Sequence, residues 1–225
     1  MDYLLVHGAW HGAWVWAGVG ARLRSAGHRV HAVDLPSHGA PGTPIGGLYD
    51  DVEAVRAALA DLRRPVVLVG HSYGGAVITE AAAGQENVCH LAYIAAFMPD
   101  TGQSILDTIG GNPPFWWRVS ADGTTVTPDQ PKGLFYNDCD DATADAAVAK
   151  LLPQSYASLS QPVRAAAWHD IPSTYLVTLR DQVGSPEIQR IIGSVADKML
   201  DIDTGHSPML SKPGVLAEML EFVAA

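Results

Sequence analysis

Residues 69–77 read VGHSYGGAV, and within them Gly70-His71-Ser72-Tyr73-Gly74 matches the pattern G-x-S-x-G. An apolar run, VVLV at 66–69, precedes the pattern, and an Ala-rich segment of helical character follows over about 73–83. That context gives the spacing a steric meaning. A serine on a strained turn between strand and helix needs small flanking residues, so that neighbouring backbone can come close. Such a turn lifts the hydroxyl clear of a sheet. It also sets the hydroxyl at a helix N-terminus, where unpaired N–H groups and the dipole favour a developing anion. The stretch predicts a strand–turn–helix unit with Ser72 as candidate nucleophile.

The same alternation continues on both sides. Strands are predicted at about 3–6 (YLLV), 29–33 (RVHAV), 66–69, 90–96 (HLAYIAA), 174–179 (TYLVTL) and 198–203 (KMLDID). Most are continuous apolar runs, as parallel strands buried on both faces require. Helices are predicted at about 14–26, 47–61, 73–83, 186–193 and 213–224, with Pro186 and Pro213 placed in first helical turns and Gly27 as a stop. The fold class is α/β: a mostly parallel, doubly wound sheet of about six strands with helices on both faces. Residues 98–172 break the rhythm with GGNPPFWW, the TPDQPKG turn and a helix candidate around 141–152. So long an interval is too much for a plain loop. It predicts a small, mostly helical cap inserted into a core made of 1–97 and 173–225.

The bulk properties exclude several classes. The chain has 225 residues, 48% hydrophobic and 17% charged, enough for one well-filled core. With 14 Lys+Arg, no basic run and a net charge of −10, nucleic-acid and anionic-membrane partners are not expected. No stretch approaches the roughly 18 apolar residues of a membrane span, and the N-terminus has no signal-peptide pattern. Cys89 and Cys139 are unclustered, which suits a reduced, cytoplasmic protein. A homodimer stays open.

A serine hydroxyl needs a base to take its proton. Of nine histidines, His206 in DTGHSPML follows the last predicted strand, in the loop before the final helix, and is the candidate base. The imidazole in turn needs a carboxylate. Asp181, just beyond TYLVTL, is preferred; Asp100, in FMPD, satisfies the same chain order and is its rival. A tetrahedral intermediate also needs backbone N–H donors, each worth about 3 kcal/mol. One is expected from Tyr73, after the nucleophile, and one from Ala9 in the loop after the first strand.

That loop is HGAWHGAW, residues 7–14. The first copy reads as an oxyanion loop in which small Gly8 and Ala9 admit substrate. The second reads as the start of a helix, with Trp14 and Trp16 packing. His7 and His11 at i, i+4 would align as metal ligands only on a helix, and Gly8 directly after a strand argues for a turn. Neither a metal nor any other cofactor is expected.

LLVHGAWHGAWVW, VDLPSHG, VLVGHSYGGAVI and RDQVGSPEIQ…TGHSPMLSKP together resemble the α/β-hydrolase superfamily over nearly the whole chain. Within it the chain is similar to the plant methylesterases and hydroxynitrile lyases with their bacterial esterase-like relatives. The resemblance implies Ser72, Asp181 and His206 as triad, with Ala9 and Tyr73 as oxyanion donors. The plant lyases carry a lysine after the triad histidine and a threonine in the oxyanion loop; here those positions are Ser207 and Gly8, which points to ester hydrolysis. Ser72 also separates the chain from dehalogenases and epoxide hydrolases of this fold, which use aspartate there.

The cap holds Phe115, Trp116, Trp117, Tyr136, Tyr156 and Trp168. Trp116 and Trp117, with Gly8 and Trp10, are the candidate substrate contacts; packing onto the sheet explains any single cap aromatic better, and Trp10, in the oxyanion loop, has the stronger claim. The expected substrate is a small, fairly hydrophobic ester, cleaved through an acyl-enzyme. Alternatives on the same residues are a lyase, a thioesterase or acyl-transferring tailoring enzyme, or a ligand-binding protein that does no chemistry.

Overall fold

The computed structural model describes residues 1–39, 43, 45–63 and 65–223. Its first half alternates strand and helix: β1 (Asp2–Val6), α1 (Ala17–Ser25), β2 (Arg29–Val33), α2 (Leu48–Ala60), β3 (Val66–His71), α3 (Tyr73–Ala81) and β4 (Val88–Ile94). Local chemistry explains the boundaries. In α2 the apolar positions Leu48, Val52, Val55 and Leu59 recur at helical spacing and are buried, and the Gly47 amide donates to Asp50 at 2.7 Å. Gly27, at φ 89°, turns the chain out of α1 in a conformation that favours glycine.

Next come α4 (Ile105–Thr108), β5 (Trp117–Val119), β6 (Thr125–Pro128), α5 (Pro131–Phe135), α6 (Asp141–Val148), β7 (Gln154–Ser155) and α7 (Tyr156–Ser160). The interval thus holds a three-stranded antiparallel sheet, β5-β6-β7, beside its short helices. Sequence reading anticipates only the helices. A signal for the sheet exists in TTVTP after the Asp122-Gly123 turn, but strands of two to four residues are too short for a period to stand out.

The chain then returns to the main sheet through β8 (Ser173–Thr178), α8 (Pro186–Ile192), β9 (Lys198–Ile202), α9 (Pro208–Ser211) and α10 (Pro213–Val223). Residue 224, the end of the predicted last helix, lies outside the described residues. Both cysteines are free thiols, and Cys89 is exposed. Among the described residues no helix is long and apolar enough to cross a membrane.

The six long strands form one sheet in the order β2-β1-β3-β4-β8-β9, parallel at every pairing. Successive side chains alternate between its faces. Leu4, Val6 and Leu68 join one buried cluster with α2, α3 and the interposed segment, while Tyr3, Leu5, Val67 and Val69 join another with α1 and α10. Burial on both faces is why these strands read as unbroken apolar runs. Each such Val or Leu contributes about 1.5–3 kcal/mol by leaving water.

The order reverses between β1 and β3, so their C-terminal ends open a crevice. The loops after β1, β3, β8 and β9 all leave the sheet at this edge. Helix α3 packs tightly under it: a Cβ on Gly74 would lie 2.6 Å from the His7 carbonyl oxygen and 2.7 Å from that of Val6. Backbone cannot yield there as a flexible side chain can. Gly74→Ala is expected to lower stability by about 1–3 kcal/mol, read as a lower urea midpoint at unchanged slope.

Candidate active site

Ser72 stands between β3 and α3 with φ 51° and ψ −119°, a conformation that costs a non-glycine residue on the order of 1–3 kcal/mol. Surrounding bonds hold it there. The Ser72 amide donates to Ile94 O at 3.1 Å, and its carbonyl accepts from Gly75 N at 3.0 Å and Phe97 N at 3.1 Å. The motif glycines are required by the bend itself, since a Cβ on Gly70 would come within 2.7 Å of the Gly74 carbonyl oxygen.

The loops after β8 and β9 bring Asp181 and His206 together across 25 residues of sequence. His206 Nδ1 donates to Asp181 Oδ2 at 2.7 Å, and both side chains are buried. This fixes the tautomer and leaves Nε2 as the free ring nitrogen. The carboxylate is saturated with donors: Thr178 Oγ1 at 2.8 Å, Gln189 Nε2 at 3.1 Å, and the amides of Val183 at 2.7 Å and Gly184 at 3.2 Å. Burial works to raise the Asp181 carboxyl, but the His206 imidazole and these hydrogen bonds outweigh it and hold it below its ordinary value. Ser72, Asp181 and His206 line one cavity of about 480 Å³. Asp100 is half-exposed and bonds His169 at 3.0 Å instead, so geometry brings Asp181 rather than its rival to the imidazole.

A smaller chamber of about 70 Å³ adjoins Ser72 and is lined by Ala9, Trp10, Tyr73, Trp116 and Trp117, among others. All five hold positions where sequence reading expects oxyanion donors (Ala9, Tyr73) or substrate contacts (Trp10, Trp116, Trp117). Gly8 is not in the lining of either cavity. It is glycine for another reason: a Cβ there would meet His71 Nδ1 at 2.8 Å and the Ser72 Cβ at 3.0 Å. The expectation that Gly8 opens space for substrate is corrected to a close approach between two loops.

The histidines of HGAWHGAW hold backbone. His11 Nδ1 donates to the Ala9 carbonyl at 2.7 Å, and its Nε2 accepts from the Tyr136 hydroxyl at 2.7 Å. His7 Nδ1 donates to Gly8 O at 2.8 Å, and its Nε2 accepts from the Leu35 amide at 3.1 Å. Burial pushes His11 down to about 4 and His7 down to about 3, so both are neutral struts at pH 7. His7, Asp34 and His38 do place ligand-type atoms within 4.8 Å of one another, yet the His7 lone pair is already spent on Leu35. Trp16 packs in the core and Trp14 packs against it, as expected for the second copy.

Sequence reading misses a buried polar network that links Tyr73 to Trp10, the neighbour of Ala9. The Tyr73 hydroxyl donates to Asp51 Oδ2 at 2.5 Å, and Asp51 Oδ1 accepts from Ser37 N at 2.8 Å. Gln154 Nε2 donates to Ser37 Oγ and Ser158 Oγ, each at 2.7 Å, while its Oε1 accepts from Trp10 N at 3.1 Å. Its members come from five separate segments, and a lone Asp on an amphipathic helix carries no local mark of such a role.

A model of the alpha/beta hydrolase family matches residues 3–219. The chain belongs to the alpha/beta hydrolase family. Among similar members are an alpha-hydroxynitrile lyase of Arabidopsis thaliana, 29% identical over 99% of this chain and 96% of that protein, and methylesterase 7 of the same plant, 28% identical over 99% and 95%. A pyrethroid hydrolase from Sphingobium faniae JZ-2 has the same fold, with a TM-score of 0.87 at 24% identity, covering 100% of this chain and 97% of that one.

Within this hydrolase the network has a thermodynamic signature. Burial pushes the Asp51 carboxyl up to about 7, against the opposing hydrogen bonds from Ser37 and Tyr73. A carboxyl raised in the fold keeps its proton where the unfolded chain releases it. The folded state is therefore favoured below pH about 4 and loses that advantage as pH rises to about 7. Asp51→Asn, which mimics the protonated group, is expected to flatten this slope by up to about 4 kcal/mol between pH 4.5 and 7.5, measured by urea unfolding of both proteins at each pH.

Proposed function

We propose that the protein is a serine carboxylesterase acting on small, fairly hydrophobic esters through an acyl-enzyme. The observation that carries this reading is the buried Asp181–His206 pair, opening on the same cavity as the hydroxyl of Ser72. Ser72 Oγ bonds to the ester carbonyl carbon while its proton passes to His206 Nε2. The resulting oxyanion is received by the amides of Ala9 and Tyr73, which among the described residues donate to no protein acceptor. Collapse breaks the carbon–oxygen bond to the alcohol, whose oxygen takes the proton from His206. Water then adds to the acyl-enzyme with His206 as base, and the acid departs as Ser72 regains its proton. Asp181 stays ionised throughout and stabilises the imidazolium.

The site also bears on the lyase alternative. A threonine side chain at position 8 would have to occupy the space of His71 and Ser72, which leaves no room for the hydroxyl that the plant lyases place there. Position 207 is a fully buried serine and offers no cation to steady cyanide.

Ser72→Ala is expected to lower kcat on methyl and aryl esters by at least about 10³-fold and to abolish covalent labelling by a fluorophosphonate. Asp181→Asn is expected to keep the labelling site and lose about 10⁴ in kcat through the wrong imidazole tautomer. Full turnover by Ser72→Ala, or cyanohydrin cleavage by the native protein faster than ester cleavage, would overturn the assignment.

A further inference from the structure

The two chambers beside Ser72 differ about sevenfold in volume, at roughly 480 and 70 Å³. They share Ser72, Phe97, Ile109, Pro114, Trp116 and Val183, so they meet at the nucleophile and part on either side of it. The large one is walled by His206 and Asp181 and runs out to the apolar side chains of α8, where Ile188 and Ile191 are exposed. The small one is walled by Ala9 and Tyr73 and closed by Trp10, Trp117, Phe135 and Leu159. His206 belongs to the first set alone.

That asymmetry decides which half of an ester goes where. The oxygen that leaves must come within hydrogen-bond reach of the imidazole that protonates it, while the acyl carbon stays on serine. The alcohol portion therefore extends into the chamber that His206 walls. The acyl chain turns the other way, past the amides of Ala9 and Tyr73. We propose that this protein selects esters of short-chain acids with bulky apolar alcohols, the acyl group in the Trp10–Trp117–Leu159 chamber and the alcohol in the chamber along α8. The inference rests on the esterase reading above and assigns its two subsites.

The small chamber is built to stay small. The Trp10 indole N–H donates to Val126 O at 2.9 Å, and its ring stacks on Phe135 with centroids 5.5 Å apart and planes 20° from parallel. Trp116 and Trp117 meet Trp10 edge-on at 5.7 and 6.1 Å. Trp10, Trp117, Phe135 and Leu159 are all buried, so none can swing into solvent to admit a longer chain. At about one water per 10–15 Å³ of such volume, 70 Å³ holds a handful of non-hydrogen atoms. Acetyl to butanoyl groups fit; a hexanoyl or aromatic acyl group does not.

The isomers naphthylmethyl acetate and methyl naphthylacetate test this directly, because they place the same bulk on opposite sides of the ester. With each rate divided by that for hydroxide, kcat/KM is expected to favour the acetate at least about tenfold. In a naphthylmethyl ester series kcat/KM is expected to fall at least about tenfold beyond butanoate, and Leu159→Ala is expected to restore the hexanoate. Equal or better turnover of methyl naphthylacetate overturns the subsite assignment, as does a Leu159→Ala protein that is folded and active on acetate but still refuses hexanoate. Should neither isomer be cleaved, fluorophosphonate separates the causes: labelled Ser72 sinks the subsite assignment alone, and unlabelled Ser72 sinks the esterase reading with it.

Discussion

The structure hangs on the bend at Ser72, where the chain leaves the sheet in a conformation that L-residues avoid. Three backbone hydrogen bonds hold it, and two glycines on either side remove the atoms that would prevent it. The bend is also where α3 comes against the end of β1, so the loop after β1 is pressed against the serine. A Cβ at Gly8 would touch both His71 and Ser72. One local strain thus fixes the distance between two loops far apart in sequence. It is stable only because the strands beneath it are buried on both faces.

Around that bend the protein uses neutral, buried polar groups as spacers. His7, His11 and His71 each tie a side chain to loop backbone: His7 to Gly8 of its own loop and to Leu35, His11 to Ala9 of its own loop, and His71 to the carbonyl of His206 at 2.8 Å. Burial, together with the nearby imidazoles, pushes all three down, so they serve as hydrogen-bond struts and add no positive charge beside His206. Of these four imidazoles only His206 bonds a carboxylate, and it is kept distinct from its neighbours by this means. The repeated HGAW is therefore two uses of one tetrapeptide. The first copy shapes the loop, and the histidine of the second holds the first in place.

The interposed segment is tied to the core by similar chemistry. Gln154 reaches Trp10, Ser37 and Ser158 from one short strand, and the buried Glu80 of α3 accepts from the Arg164 amide at 2.8 Å and its Nε at 2.6 Å. These contacts seat the aromatic side chains of the segment over the serine. They also make the walls of the small chamber part of the folded core. Selectivity at such a site comes from what the walls exclude.

The sequence alone determined the α/β alternation, because strands buried on both faces must be continuous runs and helices must bury one stripe. It also determined the Ser72 turn, since the small residues around it have a steric purpose visible at short range. His206 and Asp181 were legible as loop residues following strands, and the resemblance carried by four motifs placed the chain in its family. Only the tertiary structure decided that Asp181, and not Asp100, meets the imidazole, because strand order and not sequence distance sets which loops touch. It alone revealed the short antiparallel sheet, the Asp51–Gln154 network and the true reason for Gly8. Each depends on segments that become neighbours only after the sheet forms, and a side chain's partners across such distances leave no periodic trace in the chain.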